Sequence, residues 1–339
     1  MDAEADSDLI AAQHGDPGAF DRLVTRHRRE LYVHCYRMLG SVQDAEDALQ
    51  EALLAAWRGL ARFEGRSSLR AWLYRICTNA CLRLSAGRVR RVLTPDRNPA
   101  RSDVHDLGEP VLEPIWIEPL LDERLPPADD ADPALRYEQR ENVELAFVAA
   151  LQHLPGTQRA VLILREVLQF SAAEVATVLD TSVASVNSAL QRARKTVDER
   201  LAEPAQAAEL DALGDPGQRE LIDAFVAAWE RADIAALQEL LVADARFTMP
   251  PLPAWFDGIV DVSRFLTERV FALQWRLEPI RINGQLGFVG YSREPGTGPY
   301  QLAGVTALRV RDGRIAEIGS FLDPGLQALF HLPASRPGN

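Results

Sequence analysis

Residues 171–195 read SAAEVATVLDTSVASVNSALQRARK, a pattern of two short amphipathic helices joined by a tight turn. The first helix is predicted to begin at Ser171, with Glu174 three residues later, the pairing typical of a capping box. After the turn DTS, apolar residues recur at helical spacing: Val183, Val186, Leu190 and Val197. This arrangement predicts a helix-turn-helix, whose second helix packs one apolar stripe and leaves its other face free.

The face opposite this stripe is small, polar and basic. Residues 181–195 carry three positive charges and no negative charge, in a chain whose formal net charge is -12. Small side chains let a helix approach base edges in the major groove, and basic side chains reach phosphates. The candidate DNA-binding residues are Ser182, Ser185, Asn187, Ser188, Gln191, Arg192, Arg194 and Lys195. The alternative is an ordinary surface helix with a basic end.

The acidic total does not exclude a nucleic-acid partner, because charge is distributed unevenly along the 339 residues. Eleven arginines between positions 58 and 101 accompany only two acids, whereas twelve acids between 103 and 141 accompany only three arginines. A basic block beside an acidic block suggests a nucleic-acid face and a separate acidic segment.

Length and composition limit the number of domains and the classes of protein that the chain can belong to. A chain of this length with 47% hydrophobic residues predicts two or three packed domains. Cys35, Cys77 and Cys81 are too few for a disulfide framework and are interpreted as small buried thiols. The first eight residues are acidic, unlike a signal peptide, and no apolar run is long enough to cross a bilayer. We therefore expect a cytoplasmic protein without membrane association, metal or cofactor.

The first 203 residues divide into three parts. Residues 8–90 are predicted to be helical almost throughout, since apolar positions recur at spacings of three and four. Residues 91–134 hold many prolines and acids with no clear period, which predicts a mobile linker in which 115–117 can dock locally. Residues 135–203 are predicted to be helical again, with one helix over 137–154.

The pattern of apolar and polar residues changes after a short Ala/Pro/Gly-rich stretch at 203–215, which is interpreted as a second linker. Residues 216–332 read as helices followed by a meander of strands with a turn at 311–314, the pattern of an α+β domain. The predicted fold class is therefore multidomain, with two all-α helical domains followed by one α+β domain.

Two separate motif blocks resemble one family. LPGTQRAVLILREVLQFSAAEVATVLDTSVASVNSALQRAR (residues 154–194) closely resembles region 4 of the extracytoplasmic-function (ECF) sigma factors of bacterial RNA polymerase. DAEDALQEALLAAW (44–57) resembles the core-binding helix of the family, and RFEGRSSLRAWLYRICTNACLRL (62–84) resembles its segment that reads the -10 element. The resemblance covers about residues 8–202. It implies sigma region 2 at 8–90 and sigma region 4 at 135–203.

The resemblance also implies roles for particular residues. Region 4 of the family binds the -35 promoter element, and region 2 melts and reads the -10 element, a task that suits aromatic and basic side chains. The implied -10 residues are Phe63, Gly65, Arg66, Ser67, Arg70, Arg75, Asn79 and Arg83. The implied contacts with the β′ clamp helices of core RNA polymerase are Asp44, Glu46, Asp47, Gln50 and Glu51. Trp72 is interpreted as core rather than as a DNA contact.

LIDAFVAAWERADIAALQELLVADARFTMPPLPAWFDGIVDVSRFL (221–266) resembles the SnoaL-like fold, a cone with a curved sheet over helices and an apolar cavity. The candidate cavity residues are Trp255, Phe256, Trp275 and Asp323. Three interpretations stay open. The domain regulates by contacting the sigma portion, it senses a small-molecule ligand, or it is an enzyme with Asp257 or Asp323 as acid or base.

The favoured interpretation is an RNA polymerase sigma factor whose C-terminal domain tunes its activity, and not an enzyme. The rival is a helix-turn-helix regulator that binds duplex DNA without polymerase and senses a ligand through its C-terminal domain. That rival leaves the aromatic and basic block at 63–84 unexplained.

Overall fold

The computed structural model describes residues 3–126, 143–201, 205–296 and 298–338. The described residues form two compact units. The helical unit comprises 3–90, 124–126 and 146–201, and the mixed unit comprises the remaining described residues. The mixed unit combines helices with a seven-stranded sheet. This is the fold class predicted from the sequence, two helical regions followed by an α+β domain.

Eight α-helices precede residue 200 in the described part of the chain. They are α1 (Ala3–Gln13), α2 (Pro17–Leu39), α3 (Val42–Gly59), α4 (Leu69–Ser85), α5 (Leu145–Gln152), α6 (Gly156–Leu162), α7 (Ala172–Val178) and α8 (Val183–Asp198). A π-helical turn, Ile163–Val167, extends α6. Of the helix predicted over 137–154, residues 137–142 lie outside the described residues.

Short polar side chains fix where these helices begin. Ser41 and Ser68 accept hydrogen bonds from the third residues of α3 and α4. At α7 the predicted capping box is confirmed: Ser171 Oγ accepts from Glu174 N at 3.2 Å, and Glu174 Oε2 accepts from Ser171 N at 2.8 Å. Each cap pairs a backbone N–H that a helix cannot satisfy internally.

A buried arginine joins the two helical regions inside the helical unit. Arg159, on α6, lies between the C-terminal end of α2 and the end of α5. Its guanidinium donates to the carbonyl oxygens of Met38, Leu151, Gln152 and Leu154. Burial lowers the pKa of Arg159 to about 10, so the group remains charged at neutral pH. One side chain thus satisfies several carbonyls at helix ends that would otherwise be buried without partners.

His34 lies in the centre of the α2–α4 packing. Its ring is fully buried, shares a hydrogen bond of 2.9 Å between Nε2 and Thr78 Oγ1, and meets the Tyr74 ring edge-on. Burial, with a smaller contribution from the charge of Arg37, lowers the pKa of His34 to about 3. The fold therefore requires the neutral imidazole.

The mixed unit contains four further helices and all seven strands of the described residues. The helices are α9 (Gln206–Glu230), α10 (Ile234–Leu240), α11 (Ile259–Glu268) and α12 (Gly325–Leu329). The strands are β1 (Leu241–Thr248), β2 (Trp255–Asp257), β3 (Gln274–Ile282), β4 (Gln285–Arg293), β5 (Tyr300–Arg311), β6 (Arg314–Phe321) and β7 (Ser335–Arg336).

The sheet has the order β2-β1-β6-β5-β4-β3, with β7 paired to β5. The β1–β6 pair is parallel and the others are antiparallel. The turn predicted at 311–314 closes the β5–β6 hairpin, where Asp312 and Gly313 both have positive φ. Aromatic residues of α9, α11 and the sheet form the core of this unit.

Two stretches interpreted as linkers are structured. Helix α9 begins at Gln206, inside the predicted second linker, and continues across a kink at Gly214. Ala207 and Leu210 are buried there, so packing against the domain overrides the Ala/Pro/Gly composition. The α+β domain therefore begins before residue 216.

The connecting segment, residues 91–123, also belongs to the mixed unit rather than forming a mobile linker. Val92 bridges Trp116, and Ile115, Trp116 and Ile117 are all buried. Arg91 donates to Trp116 O at 2.8 Å. The sequence lacks periodicity there because its partners come from elsewhere in the chain. Residues 127–134 of the predicted linker lie outside the described residues.

We predict that His34→Gln flattens the pH dependence of stability. The imidazole pKa is about 6.5 in unfolded chains but about 3 here, so the unfolded state binds the proton more tightly. Stability is intact above pH 6.5 and falls as the pH drops through the range between these values. At pH 5 the loss is about 2 kcal/mol in the wild type.

Urea unfolding at pH 7 and pH 5 measures this difference, with the exposed His14→Gln as the control variant. The wild type and His14→Gln should lose the same stability between the two pH values, and His34→Gln should lose less. Three equal losses would contradict the buried neutral imidazole.

Candidate nucleic-acid and protein interfaces

The second helix of the helix-turn-helix, α8, packs on a narrow apolar stripe. The buried residues are Val186, Ala189, Leu190, Ala193 and Val197. Val183 was assigned to this stripe from the sequence, but 44% of it is exposed. It occupies the first helical position after the Ser182 cap. Val183 therefore keeps the spacing of the stripe but is not part of the buried core.

The structure places every candidate DNA-binding residue of α8 on the surface. All of Ser182, Ser185, Asn187, Ser188, Gln191, Arg192, Arg194 and Lys195 are exposed. Ser182 Oγ caps the helix by accepting from Ser185 N at 3.1 Å, and Arg194 pairs with Glu166 at 2.7 Å. Arg165 was missed by the sequence reasoning. It joins Asn187, Gln191 and Arg194 along an open groove beside the helix.

The orientation of α8 is tested by paired valine substitutions. Val186→Ala should destabilise the fold by about 2 kcal/mol, because a fully buried valine loses its packing and leaves a cavity. Val183→Ala should change stability by less than about 0.5 kcal/mol, since the position is exposed and alanine favours a helix. Chemical denaturation measures both. A larger loss for Val183→Ala than for Val186→Ala would overturn the orientation.

Helix α4 presents one polar face. Arg75, Asn79 and Arg83 recur every fourth residue, with both arginines exposed and Asn79 half-buried. The loop before α4 turns at Gly65, where φ is +70° and nothing lies within 4 Å of the position a Cβ would take. Arg66, in the same loop, pairs with Glu64. This open, basic loop and the helix face after it form one contiguous stretch of sequence.

Two of the candidate -10 residues are engaged inside the helical unit. Phe63 is half-buried, with its ring 5.1 Å from that of Trp72, and its carbonyl accepts from Gln13 Nε2 at 2.9 Å. Trp72 is half-buried in the same small apolar cluster. Phe63 therefore packs on neighbouring helices. Ser67, four residues later in the same loop, is half-buried as well.

Arg70 is the second engaged residue. Its Nε donates to Glu30 Oε2 at 3.0 Å, and its guanidinium lies over the rings of Tyr74 and Phe170. Burial raises the pKa of Glu30, but the hydrogen bond with His27 and the charge of Arg70 outweigh it, so the pKa is lowered. Phe170 precedes α7, so Arg70 contacts both helical regions at once.

Helix α3 presents an acidic face that is only partly free. Asp47, Gln50 and Glu51 are exposed. Asp44 is half-buried and pairs with Arg88 at 2.6 Å, and Glu46 is half-buried and pairs with Arg124 at 3.1 Å. The structure thus divides the five candidate polymerase contacts into three exposed residues and two that are half-buried and ion-paired.

Leu54 extends this acidic face and was missed by the sequence reasoning. It lies three and four residues after Glu51 and Gln50, and 57% of it is exposed. A single exposed leucine is common on protein surfaces, so Leu54 matters here because it adjoins the acidic face and adds apolar area to it. The signal was present in the sequence, because helical spacing places Leu54 on the same side as Asp47 and Gln50.

The C-terminal domain forms an apolar cavity of about 280 Å³ between its helices and its sheet, partly open to solvent. Trp275 and Phe288 line it, together with residues that the sequence reasoning did not select, among them Phe225, Trp229 and Phe247.

The other candidate cavity residues lie elsewhere. Trp255 and Phe256 are buried outside this cavity, and Phe256 stacks on Phe265. Asp323 is exposed, where it caps Gly325 N at 2.7 Å, and Asp257 is exposed near Arg246. These positions correct the sequence assignment, which had no means of knowing the curvature of the sheet.

Comparisons with known proteins follow the same division of the chain. Sigma-70 region 2 matches residues 23–91, Sigma-70 region 4 matches 144–197, and the SnoaL-like domain matches 222–318. Along 324 residues the chain is 42% identical to the ECF RNA polymerase sigma factor SigG of Mycobacterium tuberculosis, covering 94% of this chain and 85% of that protein.

The chain is an ECF RNA polymerase sigma factor. It is also 28% identical over 321 residues to the sigma factor SigJ of the same organism, covering 88% of this chain and 89% of SigJ. The crystal structure of SigJ superposes with a TM-score of 0.56 at 25% identity, covering 89% of this chain and 96% of that one. The rival interpretation, a regulator that acts without polymerase, is wrong.

Within this sigma factor, no helix of the described residues combines the length and the apolarity that a bilayer crossing needs.

Proposed function

We propose that this sigma factor is regulated by its own SnoaL-like domain, which holds the segment that connects regions 2 and 4. The observation that supports the proposal is a clamp formed by the turn between β3 and β4, residues 282–285. Residues on both sides of 127–142 bind this turn. The domain therefore acts on the path of the chain between the two promoter-binding regions.

Asn283 is the centre of the clamp. Its side chain is fully buried, Oδ1 accepts from Leu120 N at 2.7 Å, and Nδ2 donates to Val143 O at 2.6 Å. An amide is suited to this position because it offers both a donor and an acceptor.

Neighbouring contacts reinforce the clamp. Asp122 Oδ1 accepts from Gly284 N at 2.8 Å, Gln285 Oε1 accepts from Leu145 N at 3.3 Å, and Leu121 bridges Ile282. Buried hydrogen bonds of this kind are costly to break singly, because the partner left behind loses its own pairing.

The helical unit is in a closed state that must open. Tyr74 of α4 and Phe170, which precedes α7 within region 4, are in ring contact, and Arg159 binds both regions. A -10 and a -35 element are about 25 bp apart, or about 85 Å along B-DNA. Regions that touch each other cannot occupy both elements, so promoter binding requires them to separate.

The two features together favour inhibition by the C-terminal domain. While the clamp holds residues near 120 and 143, the chain between regions 2 and 4 is shortened, and separation is opposed. A ligand-sensing role of the C-terminal domain is compatible with this scheme. No catalytic role is assigned, since Asp257 and Asp323, the acids an enzyme would need, are exposed away from the cavity.

We predict that Asn283→Gly raises transcription. Asn283 has φ of +53°, which glycine adopts without strain, so the substitution removes the side-chain bonds without distorting the turn. Loss of about 1–2 kcal/mol from the closed state should raise initiation several-fold. Asp312→Gly is the matched control, because Asp312 also has positive φ at a hairpin turn but is exposed.

In vitro transcription with core RNA polymerase measures the effect, on promoters selected from random sequences with the full chain. Truncation after Leu201 should raise initiation at least as much as Asn283→Gly. Unchanged or lower initiation by both, with Asp312→Gly equal to the wild type, would overturn inhibition through the clamp.

For the partners, we propose that α8 binds the -35 element through its exposed polar face and that the Gly65 loop and α4 bind the -10 element. Arg192, Arg75 and Arg83 supply positive charge on these faces, in support of the assignment. Arg70 reaches DNA only after the closed state opens, because its guanidinium lies over the ring of Phe170 of region 4. The sigma factor then acts in the cytoplasm, with core polymerase.

The polymerase contact is proposed to be the exposed face of α3, formed by Asp47, Gln50, Glu51 and Leu54. An acidic rim around an apolar side chain suits a partner surface that is basic and partly apolar. The partner proposed for this face is the pair of β′ clamp helices.

We predict that Leu54→Asp together with Asp47→Arg weakens binding to core polymerase by more than about tenfold, since an interface loses its apolar anchor and a complementary charge. Asp21→Asn, at an exposed acid on α2, is the control, because it changes the net charge by +1, as the double variant does. Fluorescence anisotropy of labelled sigma factor with core polymerase measures the affinity. Equal affinity of the double variant and the control would exclude this face.

A further inference from the structure

We propose that Asn283 and Gly284 form a deamidation site that the closed clamp protects, and that deamidation makes release of the connecting segment irreversible. The two residues occupy the turn between β3 and β4 and are the one Asn–Gly pair in the 339 residues of the chain. The consequence for the connecting segment rests on the regulation proposed above, whereas the reactivity of the pair does not.

The reaction converts the side-chain amide of Asn283 into an acid. The backbone nitrogen of Gly284 attacks Cγ of Asn283, its proton passes to a base in solvent, and the Cγ–Nδ2 bond breaks as ammonia leaves. Water then opens the five-membered succinimide ring at either carbonyl and gives aspartate or isoaspartate. One water is consumed and one ammonia is released. Glycine favours the attack because it has no side chain to hinder its own nitrogen.

The closed clamp holds both reacting groups in hydrogen bonds. The attacking nitrogen, Gly284 N, donates to Asp122 Oδ1 at 2.8 Å, and the leaving nitrogen, Asn283 Nδ2, donates to Val143 O at 2.6 Å. Asn283 N also donates to Leu120 O at 2.8 Å, which fixes the backbone of the turn. Ring closure requires the side chain of Asn283 and the nitrogen of Gly284 to turn toward each other, so these bonds must break first.

Burial adds to this protection. Asn283 is fully buried, and Gly284 is buried beside it. The base that takes the Gly284 proton and the water that opens the ring therefore reach the pair only when the clamp opens. In the open state the pair lies in a hydrated turn and reacts as it does in an unfolded chain. The rate of deamidation in the folded protein then follows the fraction of molecules whose clamp is open.

The product of the reaction no longer fits the clamp. Aspartate keeps an oxygen that can accept from Leu120 N, but it has lost the donor that binds Val143 O. Its carboxylate would face that carbonyl oxygen where a hydrogen bond of 2.6 Å now lies. A buried charge beside an acceptor is costly, so the open state is favoured. Isoaspartate also adds one carbon to the main chain of the turn. A deamidated molecule therefore keeps its connecting segment released.

Peptide mass spectrometry of the full chain measures the reaction. Trypsin cuts after Arg281 and Arg293, and the peptide of residues 282–293 contains Asn283 as its one asparagine. Folded protein and protein unfolded in urea are incubated at pH 8, and fragmentation of the peptide separates deamidation of Asn283 from that of Gln285. We expect the folded protein to react at least about tenfold more slowly, because opening the clamp breaks several buried hydrogen bonds.

Two substitutions in the connecting segment test the source of the protection. Asp122→Ala removes the acceptor of the Gly284 N–H, so deamidation of the folded protein should become about fivefold faster, the effect expected of one hydrogen bond. Glu109→Ala, at an exposed acid of the same segment, is the control and should leave the rate unchanged. In urea the wild type and both variants should react at the same rate.

Asn283→Asp tests whether the product keeps the clamp open. Hydrogen exchange measured by mass spectrometry reports the amides of Leu120 and Gly284, which are both donors in the closed clamp. Peptides that contain these amides should exchange faster in Asn283→Asp than in the wild type. Wild-type protein that has been incubated at pH 8 should show the same fast exchange in the fraction of molecules that are deamidated.

Each contrary outcome overturns a defined part of the proposal. If the protein in urea does not react, the pair is not a deamidation site. Equal rates in the folded and unfolded protein would show that the clamp gives no protection, and a slower reaction in Asp122→Ala would show that this carboxylate promotes the attack. If Asn283→Asp exchanges as slowly as the wild type, the product closes the clamp again. None of these measurements uses transcription, so their failure is distinct from failure of the inhibition proposed above.

Discussion

One buried amide determines the course of the chain between the two helical regions. The connecting segment is rich in proline and acids, and its buried backbone groups need partners from outside the segment. Asn283 supplies two of them from a single side chain, one on each side of residues 127–142. Its left-handed backbone is a conformation that asparagine tolerates better than most residues. The buried Trp116 and Leu107, which lines the cavity, both lie on the connecting segment, residues 91–123, that this residue holds.

The sequence predicts the features that are set locally. The Ser171–Glu174 capping box and the β5–β6 turn depend on residues close together in the chain, and each forms as expected. The exposed face of α8 follows from helical periodicity alone. The order of the predicted elements, helices first and strands afterwards, predicts the fold class for the same reason.

Features set by tertiary contacts were not predictable in the same way. Val183 keeps the helical period but lies at the first turn, where nothing packs over it. The connecting segment and the start of α9 have the composition of linkers, yet their apolar residues are buried by distant parts of the chain. Which residues line the cavity depends on how the sheet curves, and no residue pattern in the sequence predicts that curvature. Trp255 and Trp275 are equally aromatic, but only Trp275 lines the cavity.

Some charges of the surfaces proposed for DNA and polymerase pair with each other within region 2. The -10 candidate Arg83 pairs with the polymerase candidate Glu51, and Arg88 pairs with Asp44. Exposed pairs of this kind contribute little, about 0–1 kcal/mol each, so polymerase and promoter can displace them readily. The stronger restraints are the buried ones, Arg159 between the helical regions and Asn283 in the clamp. Under the proposed regulation, control of the sigma factor depends on buried hydrogen bonds rather than on surface charge.

The most direct test of this account is a measurement of the distance between the two helical regions. Spin labels at Thr25→Cys on α2 and Thr177→Cys on α7, both exposed, report it by pulsed electron paramagnetic resonance. The account predicts one short distance, below about 40 Å, in the free protein, as expected for a compact unit of this size. It predicts a longer population in Asn283→Gly, and a long distance alone in the complex with polymerase and promoter. A long, broad distribution in the free wild type, or one that Asn283→Gly leaves unchanged, would contradict the closed state held by the clamp.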